Sequence, residues 1–195
     1  MFDYISQHFV EIVGTLLSLI YLYLSVKQNV SLWIFGFLSS ALYVVVFFNT
    51  KFYADMSLQF YYLAVSVYGW VSWKKGKAET GEELPVKTVK LRQALWLLAL
   101  TVVVFFIYYF ILSNHTDSPV PIGDSITTAL SITATLMLTK KVIEHWLLWI
   151  IADGISVGLY IYRGLYPTTL LFVLYTIMAI VGFISWRKSL KAQKS

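Results

Sequence analysis

The sequence predicts an all-α integral membrane protein with seven membrane-spanning helices. Three observations carry this. Of 195 residues, 58% are hydrophobic and only 13% are charged, against roughly 25% charged in a soluble domain. Seven apolar stretches each reach about 17–25 residues, enough to cross roughly 30 Å of hydrocarbon. The basic residues also fall almost entirely in alternate loops.

The first span is 8–26, and the first ten residues of the chain hold Asp3 and His8 but no Lys or Arg. A secretory signal needs a basic start, so this stretch is expected to be retained. Lys27-Gln28-Asn29 ends it, and the second span, 31–49, ends at Asn49-Thr50-Lys51. The third, 53–73, runs into a polar stretch from Lys74 to Leu91. The fourth, 92–112, precedes the turn-rich Ser113 to Pro121. The fifth and sixth, 122–139 and 143–161, are separated by Lys140-Lys141, and Arg163-Gly164 precedes the seventh, 166–186. Backbone exposed to lipid must satisfy its own hydrogen bonds, so each stretch is read as a helix.

Lys27, Lys74, Lys75, Lys77, Lys87, Lys90, Arg92, Lys140, Lys141, Arg187, Lys188, Lys191 and Lys194 share one side, while Lys51 and Arg163 stand on the other. The positive-inside rule places the N-terminus outside and the C-terminus in the cytoplasm of a bacterial-type inner membrane. The net charge of +5 is thereby read as topological, and no nucleic-acid partner is expected.

Shifted by 113 positions, residues 11–75 fall on 124–188 without a gap. Thr15, Leu17, Ser18, Lys27 and Trp33 meet Thr128, Leu130, Ser131, Lys140 and Trp146. Val44, Tyr53 and Tyr62 meet Val157, Tyr166 and Tyr175, and both copies end in Gly-x-x-Ser-Trp-x-Lys, at 69–75 and 182–188. Each copy holds three spans, so the expected plan for the single transmembrane domain, 1–195, is 3+1+3. Two parallel repeats are joined by a linker helix over 92–112. Parallel repeats of this kind belong to transporters, with a solute site between them near the midplane and rocking of the repeats as the movement.

Polar residues inside spans are expensive and mark such sites. The third span aligns Asp55, Gln59, Tyr62, Ser66 and Trp73, and the fifth aligns Asp124, Thr128, Ser131 and Thr135. The sixth aligns Trp146, Trp149, Asp153, Ser156 and Tyr160. Positions matching Trp146, Trp149 and Asp153 are Trp33, Gly36 and Ser40. One half thus offers aromatics and an acid, and the other leaves room. Indole faces beside a carboxylate suit a flat cationic or heteroaromatic ligand. Glu11 is assigned to an outer vestibule, and Asp55 either to that vestibule or to the helix start as an acid complementing the dipole. Asp124 is expected as an N-cap, and Trp73 and Trp186 are expected as interfacial anchors. Gln59 has a bland alternative as helix glue.

The chain has no cysteine, its histidines at 8, 115 and 145 lack metal-binding spacing, and no Gly-rich phosphate loop occurs. No metal, cofactor or enzyme activity is expected. A receptor or assembly subunit is the other class, but the basic stretches 74–91 and 187–195 are too short to carry a signalling domain. Aromatic outer faces suit lipid or further copies of the chain.

Trp146-x-x-Trp149-x-x-x-Asp153 resembles the Trp-x-x-Trp-x-x-x-Asn/Asp helix of the PnuC-type vitamin transporters. Tyr53-Ala54-Asp55 through Gln59, Tyr68-Gly69-Trp70 and the 3+1+3 plan extend that resemblance over essentially the whole chain. It implies a fold like full-length SWEET transporters and facilitated diffusion of nicotinamide riboside, trapped by a cytosolic kinase. It also implies that Trp149 and Asp153 touch the vitamin, with Trp146 packing nearby. Separately, the polar stripe of the third span leads us to expect Gln59 and Tyr62 opposite them. Thiamin, another cationic heteroaromatic carried by some relatives, fits the same motif, and so does proton coupling through Asp153.

Overall fold

The structure, a computed structural model, describes the backbone of residues 2–49, 53–81 and 83–193; among these, the side chains of 2–11, 53–55 and 77–80 lie outside the described residues. The described residues form seven helices: α1 (Phe2–Val26), α2 (Leu32–Asn49), α3 (Tyr53–Thr80), α4 (Leu91–His115), α5 (Pro121–Leu138), α6 (His145–Tyr162) and α7 (Tyr166–Ala192). Four of them, α2, α4, α6 and α7, are long and apolar enough to cross a membrane by length and composition. The other three are α1, α3 and α5, and the last two carry the polar stripes read above. Both α3 and α7 run past the spans expected from hydropathy, because Lys, Arg, Glu and Ala are good helix formers once the apolar run has ended.

The chain divides into two compact units, Met1–Leu84 and Pro85–Ser195. In the first, α2 packs against both α1 and α3. Its contact with α1 is close because Gly14 lies against the Tyr43 ring, and the hydroxyls of Ser18 and Ser39, 2.8 Å apart, converge on the Gly14 carbonyl at 3.0 and 3.1 Å. Small residues with hydroxyl crosslinks are what helices use to associate where lipid offers no hydrophobic gain. In the second unit, α6 packs against α5 and α7, and α4 packs on α5. Thr101 on α4 donates to the Leu97 carbonyl at 2.8 Å, which leaves the Thr133 hydroxyl to donate across to it at 2.7 Å. No residue of α4 is buried within the chain.

The turns after α1 and α5 close in the same way. Gln28 and Lys141 adopt left-handed φ angles of 56° and 50°. The next amides, of Asn29 and Val142, reach back to the carbonyls of Leu24 and Met137 at 3.0 and 3.2 Å. This is the six-to-one bond of a Schellman cap. Gly164, with φ of 70°, ends α6 likewise, the Leu165 amide meeting the Tyr160 carbonyl at 2.9 Å. The helix starts differ. Pro121 opens α5, so Asp124 sits a turn inside rather than at the expected N-cap, and its carboxylate accepts from Ser118 at 2.7 Å.

In the second unit an extended strap, 85–90, lies along the α5–α6 turn. The Lys87 amide donates to the Lys141 carbonyl at 3.0 Å, and its carbonyl accepts from the Ile143 amide at 2.9 Å. The Val89 amide donates to Glu144 at 3.0 Å, and Val86 is buried beneath. Proline at 87 removes one of these donors. Lys87→Pro is expected to cost about 0.5–1.5 kcal/mol, read as a lower melting temperature, whereas Lys87→Ala, which alters only an exposed side chain, leaves it unchanged.

Candidate functional site

On α6, Trp146, Trp149 and Asp153 are spaced three and four apart and share one face, yet the helix places them differently. Trp146 is 1% exposed. Its indole fills a notch at Gly182 on α7, where even a Cβ would stand only 2.5 Å away, and meets Trp186 edge-on at 5.8 Å. His145 closes the cluster, 4.8 Å from the Trp186 ring. Its Nδ1 donates to the Val142 carbonyl at 2.8 Å.

The first unit holds the same arrangement. Trp33 on α2 occupies a notch at Gly69 on α3 and meets Trp73 edge-on at 5.7 Å. Trp73 and Trp186, expected as interfacial anchors, are instead buried by these indoles. The indole Nε1 atoms of Trp33 and Trp146 and the Nε2 of His145 are buried without a hydrogen-bond partner among the described residues.

One turn along, Trp149 is half-buried and keeps part of its ring open. A further turn on, Asp153 is 4% exposed, with the buried Ala152 and Ser156 alongside. No hydrogen bond or ion pair to its carboxylate comes from the described residues. A carboxyl group so placed is costly unless something else meets it.

In the first unit, Gln59 and Tyr62 of α3 are half-buried, and Tyr62 lies 5.4 Å from the Tyr61 ring. Ser40, the counterpart of Asp153, is buried. Gly36 departs from the expectation. The room beside it is taken, since a Cβ there would stand 3.0–3.1 Å from the Tyr21 ring and 3.3 Å from Ser66 Oγ. The side chains of Glu11 and Asp55 lie outside the described residues. Among the described residues no His, Cys, Asp or Glu cluster could hold a metal ion.

The family described as Nicotinamide mononucleotide transporter matches residues 8–188. The chain belongs to this family. The family is one of membrane transporters, not enzymes. Relatives include the nicotinamide riboside transporter PnuC of Escherichia coli, 28% identical over 95% of this chain and 88% of that one. The riboflavin/roseoflavin transporter RibM of Streptomyces davaonensis is 26% identical over 93% and 86%. A crystal structure of the vitamin B3 transporter PnuC superposes with a TM-score of 0.77 at 27% identity, covering 98% of this chain and 86% of that one.

For a member of the PnuC family the geometry separates two kinds of aromatic residue that sequence alone presents as equals. Trp33 and Trp146 fill glycine notches and bury Trp73 and Trp186 edge-on, while Trp149 stays half-buried. Sequence reading missed Tyr21. Nothing in the α1 pattern marks it, and the available signal was its register with Ala134, which becomes informative only once Tyr21 is seen to touch Gly36.

Proposed function

We propose that the protein imports nicotinamide riboside by facilitated diffusion, with trapping by a cytosolic kinase, and that Trp149 and Asp153 hold the vitamin. The observation that carries this is the pair itself: an indole with an open surface one helical turn from a buried carboxylate that no described residue hydrogen-bonds. A pyridinium ring stacks on the first and offsets the charge of the second. Gln59 and Tyr62 are proposed as the first unit's polar contacts, and Glu11 and Asp55 as vestibule residues. Trp146, buried near the start of α6, is proposed to pack near this pair.

All seven helices are read as spans, with the N-terminus outside and the C-terminus in the cytoplasm. The 3+1+3 repeat is part of the proposal. It is supported by α2 and α6 having 18 residues each and starting 113 positions apart, by the matching Schellman turns, and by the matching tryptophan notches.

Calorimetric titration of the purified protein with nicotinamide riboside, thiamin and riboflavin tests the substrate. Tight binding of the riboside supports the proposal, and uptake into liposomes without an ion gradient supports facilitated diffusion. The likeness to a riboflavin transporter makes the flavin the second reading, and binding of riboflavin alone would replace the first. Trp149→Ala is expected to weaken riboside binding by about 0.5–2 kcal/mol, while unchanged affinity in folded protein removes Trp149 from the site.

A further inference from the structure

The apolar run of α7 ends near Trp186, yet the helix continues to Ala192. It therefore holds the basic residues that follow on fixed faces. Phe183, Arg187 and Lys191 stand four apart, as do Ile184 and Lys188, so the five make one stripe. Together they line an open groove of about 290 Å³. Phe183 is half-buried and the other four are exposed. Among the described residues, Arg187, Lys188 and Lys191 have neither an ion pair nor a cation–π partner.

The first unit fills the same positions differently. The residues 113 positions earlier are Trp70, Val71, Lys74, Lys75 and Ala78. There the Lys74 ammonium lies 4.2 Å from the centre of the Trp70 ring, so that cation is matched within its own helix. The third basic position is an alanine. Basic residues needed only to fix topology are served as well by that arrangement. The second unit instead sets three unmatched cations beside two apolar side chains.

We propose that this groove binds an anionic phospholipid, with an acyl chain along Phe183 and Ile184 and the headgroup phosphate among Arg187, Lys188 and Lys191. A soluble anion would meet the cations and leave the apolar side chains uncovered. A neutral lipid would cover the apolar side chains and leave the cations unmatched. An amphiphile with a negative head meets both, and such heads lie where a membrane-crossing helix such as α7 turns polar. The Arg187 guanidinium can hold a phosphate through two parallel hydrogen bonds, while the lysine stems lie along apolar surface and carry their charge to the headgroup layer. None of the five residues belongs to the proposed vitamin site, so the two readings stand or fall separately.

The test titrates the full-length protein, purified in a neutral detergent, with phosphatidylglycerol or with phosphatidylcholine of the same acyl chains, and reads the melting temperature. Phosphatidylglycerol is expected to raise it saturably and phosphatidylcholine to leave it nearly unchanged. Equal shifts with both lipids would overturn the proposal. A basic residue near an anionic membrane surface contributes about fivefold in affinity. Arg187→Gln is therefore expected to raise the half-saturating phosphatidylglycerol concentration about fivefold, and Arg187→Gln, Lys188→Gln and Lys191→Gln together to abolish the preference for it. Lys74→Gln with Lys75→Gln, the matched change in the first unit, is expected to keep the preference. An equal loss there would mean a general surface potential and no site. Glycerol phosphate tests for a free anion, and a shift matching that of the lipid would overturn the lipid assignment. Should the triple variant fail to fold, Arg187→Gln decides: unchanged half-saturation in folded protein overturns the proposal.

Discussion

Gly182→Ala is expected to be the most damaging single-methyl change in the second unit. Mid-helix, alanine ordinarily gains about 1 kcal/mol over glycine. Here the added Cβ would stand 2.5–2.6 Å from three atoms of the Trp146 indole. The indole cannot step aside, because Trp186 and His145 press on it from other directions. Over-packing of this kind costs about 1–3 kcal/mol and sometimes more, so the clash outweighs the propensity gain. Melting temperature in detergent is the measurement. Trp146→Phe shortens the ring and is expected to recover part of the loss, so that the two changes couple by about 0.5–3 kcal/mol in a double-mutant cycle. Simple additivity would mean that α7 shifts away instead. Gly69 and Trp33 form the same contact in the first unit.

Asp153→Leu is expected to separate stability from transport. Asp153 is 4% exposed and no described residue hydrogen-bonds its carboxyl group. Burying an unmatched acid in a span costs about 2.5–3.5 kcal/mol on insertion scales. Leucine removes that cost, so the substrate-free protein should melt at a higher temperature. Uptake should fall by more than tenfold, because hydrogen bonds to charged groups contribute about 1.5–3 kcal/mol. A group kept at a cost to stability is the usual mark of a working site. The informative failure is a leucine protein that melts lower, which would show that the acid is structural. Normal uptake in a stable leucine protein would remove Asp153 from the site.

Much of the fold was legible because it follows from periodicity and punctuation. Apolar runs ended where Lys27-Gln28-Asn29, Lys140-Lys141 and Arg163-Gly164 said they should, and all three became helix-ending turns. Periodicity tells which face of a helix is apolar, but not which neighbour fills a given hole. For that reason Trp73 and Trp186 read as boundary anchors when they are buried partners of Trp33 and Trp146. For the same reason Gly36 read as open space when Tyr21 occupies it. Asp124 had the right residue type for a cap, but Pro121 fixed the helix start a turn earlier. The strap at 85–90 had no sequence signal, since two backbone hydrogen bonds leave no imprint on side-chain pattern.

The glycine notches also constrain how this chain can drift. Glycine is the only residue without a Cβ, so every amino acid that a single nucleotide change can put at codon 69 or 182 runs into an indole. The facing codons, 33 and 146, are tied in turn, since a smaller side chain leaves a void where the ring was. Each pair is therefore a lineage bottleneck. Variation must pass through an unfit intermediate or change both members together, while α4, with no buried residue, can diverge one base at a time.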